Sequence, residues 1–118
     1  MAYIISISDQ AEEMWMLKNT AFAEFALILY ERYRHDPEVC EQISIAEAIH
    51  GLALEGLYAE RPTLALRVRD ALRDVASSIA TGQCALFSYP SEEIAAGFKQ
   101  SFVELVELLD RFPKSSEG

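Results

Sequence analysis

The sequence predicts an all-α protein, a single-domain bundle of about five helices. Two observations predict it: 118 residues suffice for one hydrophobic core, and proline and glycine divide the chain into segments whose apolar residues recur with the helical period. Hydrophobic residues make up 51% of the chain, which excludes a disordered protein. We expect one helical domain over residues 1–113 and a disordered polar tail over residues 114–118.

The first predicted helix runs from about Asp9 to His35. Asp9 is a candidate N-cap with Glu12 at the N3 position, and Asp36-Pro37 ends the helix. About half of its circumference is apolar. A helix of about 27 residues would measure about 40 Å, which is longer than a domain of this size needs. We therefore expect this helix to project, to break near Asn19-Thr20, or to pack in a dimer.

The excess apolar surface of this helix predicts a homodimer. Such a helix is either the central helix of its own bundle or is shared with a second copy of the chain. We expect the helix to be shared with a second copy of the chain. The candidate oligomer interface is formed by Met14, Leu17, Ala21 and Ile28. Enclosure of Trp15, Leu17, Phe22 and Ile28 by a solitary chain would remove the basis of this expectation.

A short second helix is predicted from about Pro37 to Ile43, because Asp36-Pro37 supplies an N-cap and an N1 proline. The sequence Ser44-Ile45-Ala46-Glu47 then matches a capping box, which either opens a third helix or lies inside a continuous one. This helical run lasts to about Ala59, before Arg61-Pro62. Its two glycines, Gly51 and Gly56, predict a site where another helix backbone approaches closely.

The fourth predicted helix spans about Pro62 to Ala80 and ends at Thr81-Gly82, a C-terminal glycine signal. The fifth begins at Ser91 and ends before Pro113. Each has one apolar stripe and a charged opposite face, as is typical of a helix packed on one side. The stripe of the fourth helix contains Leu64, Val68, Ala71, Leu72, Val75 and Ile79. The stripe of the fifth contains Ile94, Phe98, Phe102, Leu105, Leu109 and Phe112.

Two apolar stretches, residues 3–7 and 84–89, are candidate short strands. The two strands would pair with one another or across a dimer. An N-terminal extension of the first helix and an extended apolar loop are the alternatives. We expect the two cysteines, Cys40 and Cys84, to be free thiols, because no partner residue stands at ligand spacing from either.

The charge of the chain excludes some classes of partner. Ten Lys and Arg oppose nineteen Asp and Glu, so the formal net charge is -9. Such a chain repels phosphate, which argues against nucleic acid and anionic membranes as partners. The N-terminus has no basic segment followed by a long apolar run, so we expect neither a secretory signal nor a membrane span. A cytoplasmic location is the expectation.

A row of four side chains on the third predicted helix is the candidate partner-binding or ligand-binding patch: Glu47, His50, Leu54 and Tyr58. The Glu47-x-x-His50 spacing puts a carboxylate and an imidazole on one helix face, as di-iron bundles require. Those sites need two such motifs and two further Glu residues, and this chain has only two histidines. We therefore predict no metal site, no cofactor and no catalytic residue.

The acidic charge, the apolar helix surface and the missing catalytic set together predict a non-catalytic protein-binding module. An inhibitor, immunity protein, antitoxin, adaptor or chaperone would use this charge to steer toward a basic partner. The alternative is a helical bundle that binds a small molecule or a metal, including a metal-dependent hydrolase. That alternative would be centred on Glu47, His50 and Tyr58.

Overall fold

The computed structural model describes residues 2–8, 13–83 and 92–112, and within them the chain forms five helices and three short strands. Helices account for most of these residues, which confirms the predicted mainly α-helical fold. In chain order the elements are β1 (Ala2–Ser6), β2 (Met14–Lys18), α1 (Asn19–Arg32), α2 (Pro37–Ile49), β3 (Gly51–Ala53), α3 (Leu54–Glu60), α4 (Pro62–Ala80) and α5 (Glu92–Asp110).

Helices α4 and α5 match the predicted fourth and fifth helices closely. Every residue of the predicted α4 stripe is buried, and four residues of the α5 stripe are buried as well: Phe102, Leu105, Leu109 and Phe112. Helix α4 ends as its glycine signal predicts, because Gly82 has a φ of 82° and its N–H donates to the Ile79 carbonyl at 3.2 Å. The predicted cap Ser91 lies outside the described residues.

The prediction of one long first helix is wrong. Residues Met14–Lys18 form strand β2, and α1 begins only at Asn19, where a break was one of the expected outcomes. Exposure alternates along β2 with the strand period: Met14 41%, Trp15 5%, Met16 61% and Leu17 4%. Consecutive apolar residues fit a helix and a strand equally well, so pairing with β1 decides the outcome. The predicted cap residues Asp9 and Glu12 lie outside the described residues.

The predicted strand at residues 3–7 exists as β1, and it is the central strand of a three-stranded sheet in the order β2-β1-β3. Strand β1 pairs antiparallel with β2, with Ile4 opposite Met16 and Ile5 opposite Trp15. It pairs parallel with β3, with Ile5 opposite Leu52. Strand β1 therefore finds both partners among elements that were predicted to be helical. The candidate strand at residues 84–89 lies outside the described residues.

The predicted second and third helices have different boundaries in the structure. Helix α2 runs without interruption through Ser44–Glu47, so the capping-box sequence lies inside a continuous helix. Asp36 caps α2 as predicted, because its side chain accepts a hydrogen bond from the Val39 N–H at 3.3 Å. The predicted run to Ala59 is wrong: His50 adopts the left-handed conformation with a φ of 61°, and the chain continues as β3 before α3 begins.

The two glycines of this segment play different roles. A Cβ at Gly51 would lie 3.1 Å from the Ile4 carbonyl oxygen, so this glycine permits the close approach of β3 to β1. The close neighbour is a strand rather than the predicted helix. A Cβ at Gly56 would meet no atom of the described residues within 4 Å, so packing among them does not require a glycine there and that part of the prediction is wrong.

The core lies between the sheet and helices α1, α4 and α5, and aromatic rings connect the sheet, α1 and α5. Phe102 of α5 contacts Trp15 of β2 and Phe25 of α1, with ring centroids 5.3 and 5.2 Å apart. The Trp15 indole N–H donates to the Ser101 carbonyl oxygen at 2.8 Å, so its buried polar group is satisfied. These contacts fix β2 against α5 and determine which face of the sheet is buried.

Candidate protein interface

Glu47 and His50, predicted to share a helix face, both lie against Tyr3 of the sheet. The Tyr3 hydroxyl donates to the Glu47 carbonyl oxygen at 3.1 Å. The His50 ring stacks on Tyr3 with centroids 4.8 Å apart, and Tyr3 stacks on Phe22 at 4.1 Å. The Tyr30 hydroxyl donates to the Glu47 carboxylate. Burial and this hydrogen bond raise the pKa of Tyr30 to about 12.

His50 has two features that a purely structural residue seldom combines. It is the only described residue other than glycine with a positive φ, a conformation that histidine tolerates better than most residues. Its Nδ1 atom is buried and has no hydrogen-bond partner among the described residues. A buried polar atom without a partner costs free energy, so this ring nitrogen marks a candidate ligand contact.

Leu54 and Tyr58 do not continue the predicted row. The left-handed turn at His50 redirects the chain, which leaves Leu54 fully buried at the start of α3. Tyr58 packs edge-on against Phe112, with ring centroids 5.5 Å apart. The four predicted side chains therefore do not lie on one helix face: Glu47 and His50 share a site with Tyr3, and Tyr58 lies against the C-terminal end of α5.

The predicted oligomer residues divide into two groups. Leu17 and Ala21 are buried in the core of their own chain, as are Trp15 and Phe22. Met14 is exposed and Ile28 is half-buried. The chain itself thus covers most of the apolar side chains that motivated the dimer prediction. Met14 is the member of the set that a second protein can reach without any change in the core.

The exposed side of the sheet is apolar, and we define the outer sheet surface by Ile4, Met14 and Met16. All three point away from the core and are 39%, 41% and 61% exposed. Ile4 lies directly opposite Met16 across the two strands, so the side chains form one continuous patch. The water-facing side of an antiparallel sheet is ordinarily polar, which makes this patch a candidate protein interface.

The outer sheet surface is also free of carboxylates at its described positions. Ser6 and Ala53 are further residues on this outward face of the sheet. The nearby Glu13 is buried, and its carboxylate accepts a hydrogen bond from the Ser8 hydroxyl at 2.6 Å. Ile49 adds an apolar side chain next to the sheet and is 70% exposed. Its position follows from the next residue, His50, whose carbonyl oxygen accepts a hydrogen bond from the Ile4 N–H at 3.3 Å. The described strand positions of this patch therefore have no negative charge, and the nearest carboxylates beside Met14 are those of Glu104 and Glu107 on α5.

Of the three residues of the outer sheet surface, only Met14 was predicted from the sequence as an interface residue, and Ile4 and Met16 were not. The missed signal is the presence of apolar residues at consecutive positions of both strands. In a sheet, consecutive residues point to opposite faces, so such runs predict apolar surfaces on both sides. Reading residues 14–18 as a helix hid this signal, because a helix would place the same side chains around one axis.

The arginines on α4 are occupied by acidic residues of the same chain. Arg67 pairs with Asp36 and Glu38, and Arg73 pairs with Asp110. Hydrogen bonds from Arg67 and Arg61 hold the pKa of the Glu38 carboxyl below its ordinary value. These pairs neutralise the basic face of α4 within the molecule, which leaves no basic patch there for phosphate groups.

Three further observations limit the possible chemistry. Within residues 2–8, 13–83 and 92–112, no three side chains of His, Cys, Asp or Glu form a group that could hold a metal ion. None of the described helices has both the length and the apolar character that crossing a bilayer requires. No protein-family model, curated protein or solved structure matches the chain.

Proposed function

We propose that this chain is a non-catalytic, acidic protein-binding module that forms a homodimer through the outer sheet surface. The observation that carries the proposal is the exposure of Ile4, Met14 and Met16 on the side of the sheet that ordinarily faces water. Burial of apolar area stabilises an association by about 25 cal/mol per Å² before the costs of association are subtracted. The exposed parts of these side chains gain none of that stabilisation from the described residues.

The charge of the molecule favours a second copy at this particular surface. Each copy has a formal net charge of -9, so two copies repel one another over most of their surfaces. Contact without like-charge repulsion requires a region free of carboxylates, and the described outward positions of the sheet meet that requirement. A twofold axis would bring the same apolar patch of both copies together.

The remaining acidic surface of the proposed module would serve a different protein. Opposite charge accelerates encounter and suppresses wrong partners, so a basic partner fits an acidic module. Inhibitors, immunity proteins, antitoxins, adaptors and chaperones work in this way. We place the module in the cytoplasm, because the free thiol of Cys40 fits a reducing compartment.

The dimer is tested by sedimentation at micromolar concentration. We expect the native chain to have twice its mass of 13.2 kDa, and Met16→Glu to sediment as a monomer with unchanged helical circular dichroism. Leu27→Glu is the matched control, because Leu27 and Met16 are both 61% exposed but Leu27 lies on α1, away from the sheet. A native monomer, or dimers that both substitutions weaken equally, would contradict the proposal.

A second candidate function is binding of a small molecule or metal at His50, and the specific observation is its unpartnered Nδ1 atom. Native mass spectrometry of the purified protein would detect a bound molecule, and added Zn²⁺ would test a metal. His50→Asn is the suitable variant, because asparagine also tolerates the left-handed conformation. A stoichiometric adduct that this variant loses would favour the second candidate. A protein without adduct and without a Zn²⁺-induced shift in Tm would contradict it.

A further inference from the structure

We infer that the outer edge of β2 takes up an extended, basic segment of a partner protein as an additional strand. This inference rests on the proposed protein-binding function and names the chemistry of the partner. Three independent features of the described residues support it: the direction of the backbone groups of β2, a groove beside the strand, and two acidic side chains along that groove.

The backbone groups of Met14 and Met16 point away from β1. The Ile7 N–H donates to the Glu13 carbonyl oxygen at 3.0 Å, so Glu13 directs its backbone toward β1. In an antiparallel pair this direction alternates, and Trp15 and Leu17 therefore face β1 as well. Strand β2 is an edge strand of the described sheet, so the N–H and C=O groups of Met14 and Met16 are directed to a side without a described strand.

A groove with a volume of about 260 Å³ lies between the first two residues of β2 and helix α5. We call it the acidic groove; it is lined by Met14, Trp15, Glu104, Glu107, Leu108 and Arg111. Its two walls are held together, because the Trp15 indole donates to the Ser101 carbonyl oxygen and its ring packs on Phe102. An extended segment added to β2 would therefore meet a preformed surface of α5.

The charges of the acidic groove select a basic segment. Glu104 and Glu107 are exposed and lie one helical turn apart. Arg111 also lines the groove, so the two carboxylates and one guanidinium leave its lining with a net negative charge. The next acidic residue of α5, Asp110, is already paired with Arg73. Alternate side chains of an extended strand are about 7 Å apart, close to the spacing of two carboxylates on adjacent helical turns. Alternating lysine or arginine residues fit this pattern.

A second copy of this chain fits the β2 edge less well than a basic segment. Pairing β2 with its symmetry mate would bring the acidic grooves of both copies to one junction. Glu104 and Glu107 of both copies would then face each other, and like charges at such distances repel. The dimer proposed above uses side chains on one face of the sheet and not the outward backbone groups of β2, although Met14 borders both surfaces.

Fluorescence anisotropy with a labelled peptide of alternating lysine and valine tests the inference on the full chain. We expect binding at low salt that weakens at least about tenfold when alternate peptide nitrogens are methylated, because these can no longer donate to β2. The double substitution Glu104→Gln/Glu107→Gln should weaken binding about fivefold to tenfold. The matched control Glu31→Gln/Glu41→Gln removes the same charge from exposed positions of α1 and α2 and should leave the affinity unchanged.

Hydrogen exchange of the Met14 and Met16 amides gives an independent measurement. We expect fast exchange in the free protein and protection when the peptide is added. Protection already present without peptide at the lowest protein concentration would show that the chain itself occupies the edge, and would overturn the inference. Equal weakening by both double substitutions would also overturn it. Neither result affects the sedimentation test of the dimer, so the two proposals can fail separately.

Discussion

The α4–α5 pair and the three-stranded sheet differ in the polarity of their solvent-facing sides. In α4, buried Leu72 is followed by Arg73, which faces outward and pairs with Asp110 of α5. In the sheet, buried Ile5 is preceded by Ile4, an identical side chain that is 39% exposed. The helical pair thus has an apolar side in the core and a charged side in water, whereas the sheet is apolar on both sides.

This difference indicates where the molecule has apolar surface that binding to another molecule could bury. Exposed ion pairs such as Arg73–Asp110 contribute little to stability, but they make that surface well solvated. An exposed isoleucine or methionine is poorly solvated and can be buried only by another molecule. The proposed interactions therefore concentrate on the sheet and its edge, although helices form most of the described chain.

The largest expected effect is at Phe102, which connects the two regions. Phe102→Ala removes a fully buried ring that packs on Trp15 and Phe25, and we expect it to lower the free energy of unfolding by about 3–5 kcal/mol. Urea unfolding followed by the fluorescence of the single tryptophan and by helical circular dichroism checks this. Coincident transitions would show that the sheet and the helices unfold as one unit. Separate transitions would show that the two regions unfold independently. Val103→Ala, at an exposed neighbouring position, is the control.

An intermediate effect is expected at the two glycines near the sheet. Gly51→Ala places a Cβ 3.1 Å from the Ile4 carbonyl oxygen, and we expect a loss of about 1–2 kcal/mol because β3 must move away from β1. Gly56→Ala meets no atom within 4 Å and should stabilise α3 by about 0.5–1 kcal/mol. Thermal denaturation of both variants measures the difference. Shifts of Tm in the same direction would contradict the close approach of the two strands.

The smallest expected effect concerns the charged side of α4. Burial of Asp36 opposes its ionisation, but hydrogen bonds from Arg67 and the Val39 N–H outweigh burial and lower the pKa of this carboxyl. A lowered pKa stabilises the folded state above the unfolded value of about 3.9, and this contribution is lost as pH falls through the folded value.

Asp36→Asn keeps a capping oxygen but removes the charge, so we expect it to cost less than about 1 kcal/mol at neutral pH. The difference from the native protein should begin to shrink as pH falls below about 4 and should disappear only below the lowered pKa of the folded state. Urea unfolding at several pH values measures it, and high salt should reduce the neutral-pH difference by screening. A difference that grows on acidification would contradict this assignment.

The sequence predicted α4 and α5 well, because their apolar residues recur at helical spacing between clear end signals. Pro62 and Gly82 border α4, and charged residues occupy its other face. The candidate sites were predicted only in part. Glu47 and His50 lie together because His50 is the C-cap of the helix whose last turn contains Glu47, but their contact Tyr3 is distant in sequence. Leu54 and Tyr58 were placed wrongly, because no local signal marked the left-handed turn at His50.

The sequence by itself determined the net charge, the helical majority and the one-sided helices, because composition and a regular apolar period are local properties. Tertiary structure decided the state of residues 14–18, where adjacent apolar side chains fit both periods. Hydrogen bonding to β1 selected the strand, buried Trp15 and Leu17, and left Met14 and Met16 exposed. Strand pairing depends on a partner elsewhere in the chain. Only the folded structure could therefore show which side chains of residues 14–18 are buried in the core and which are exposed.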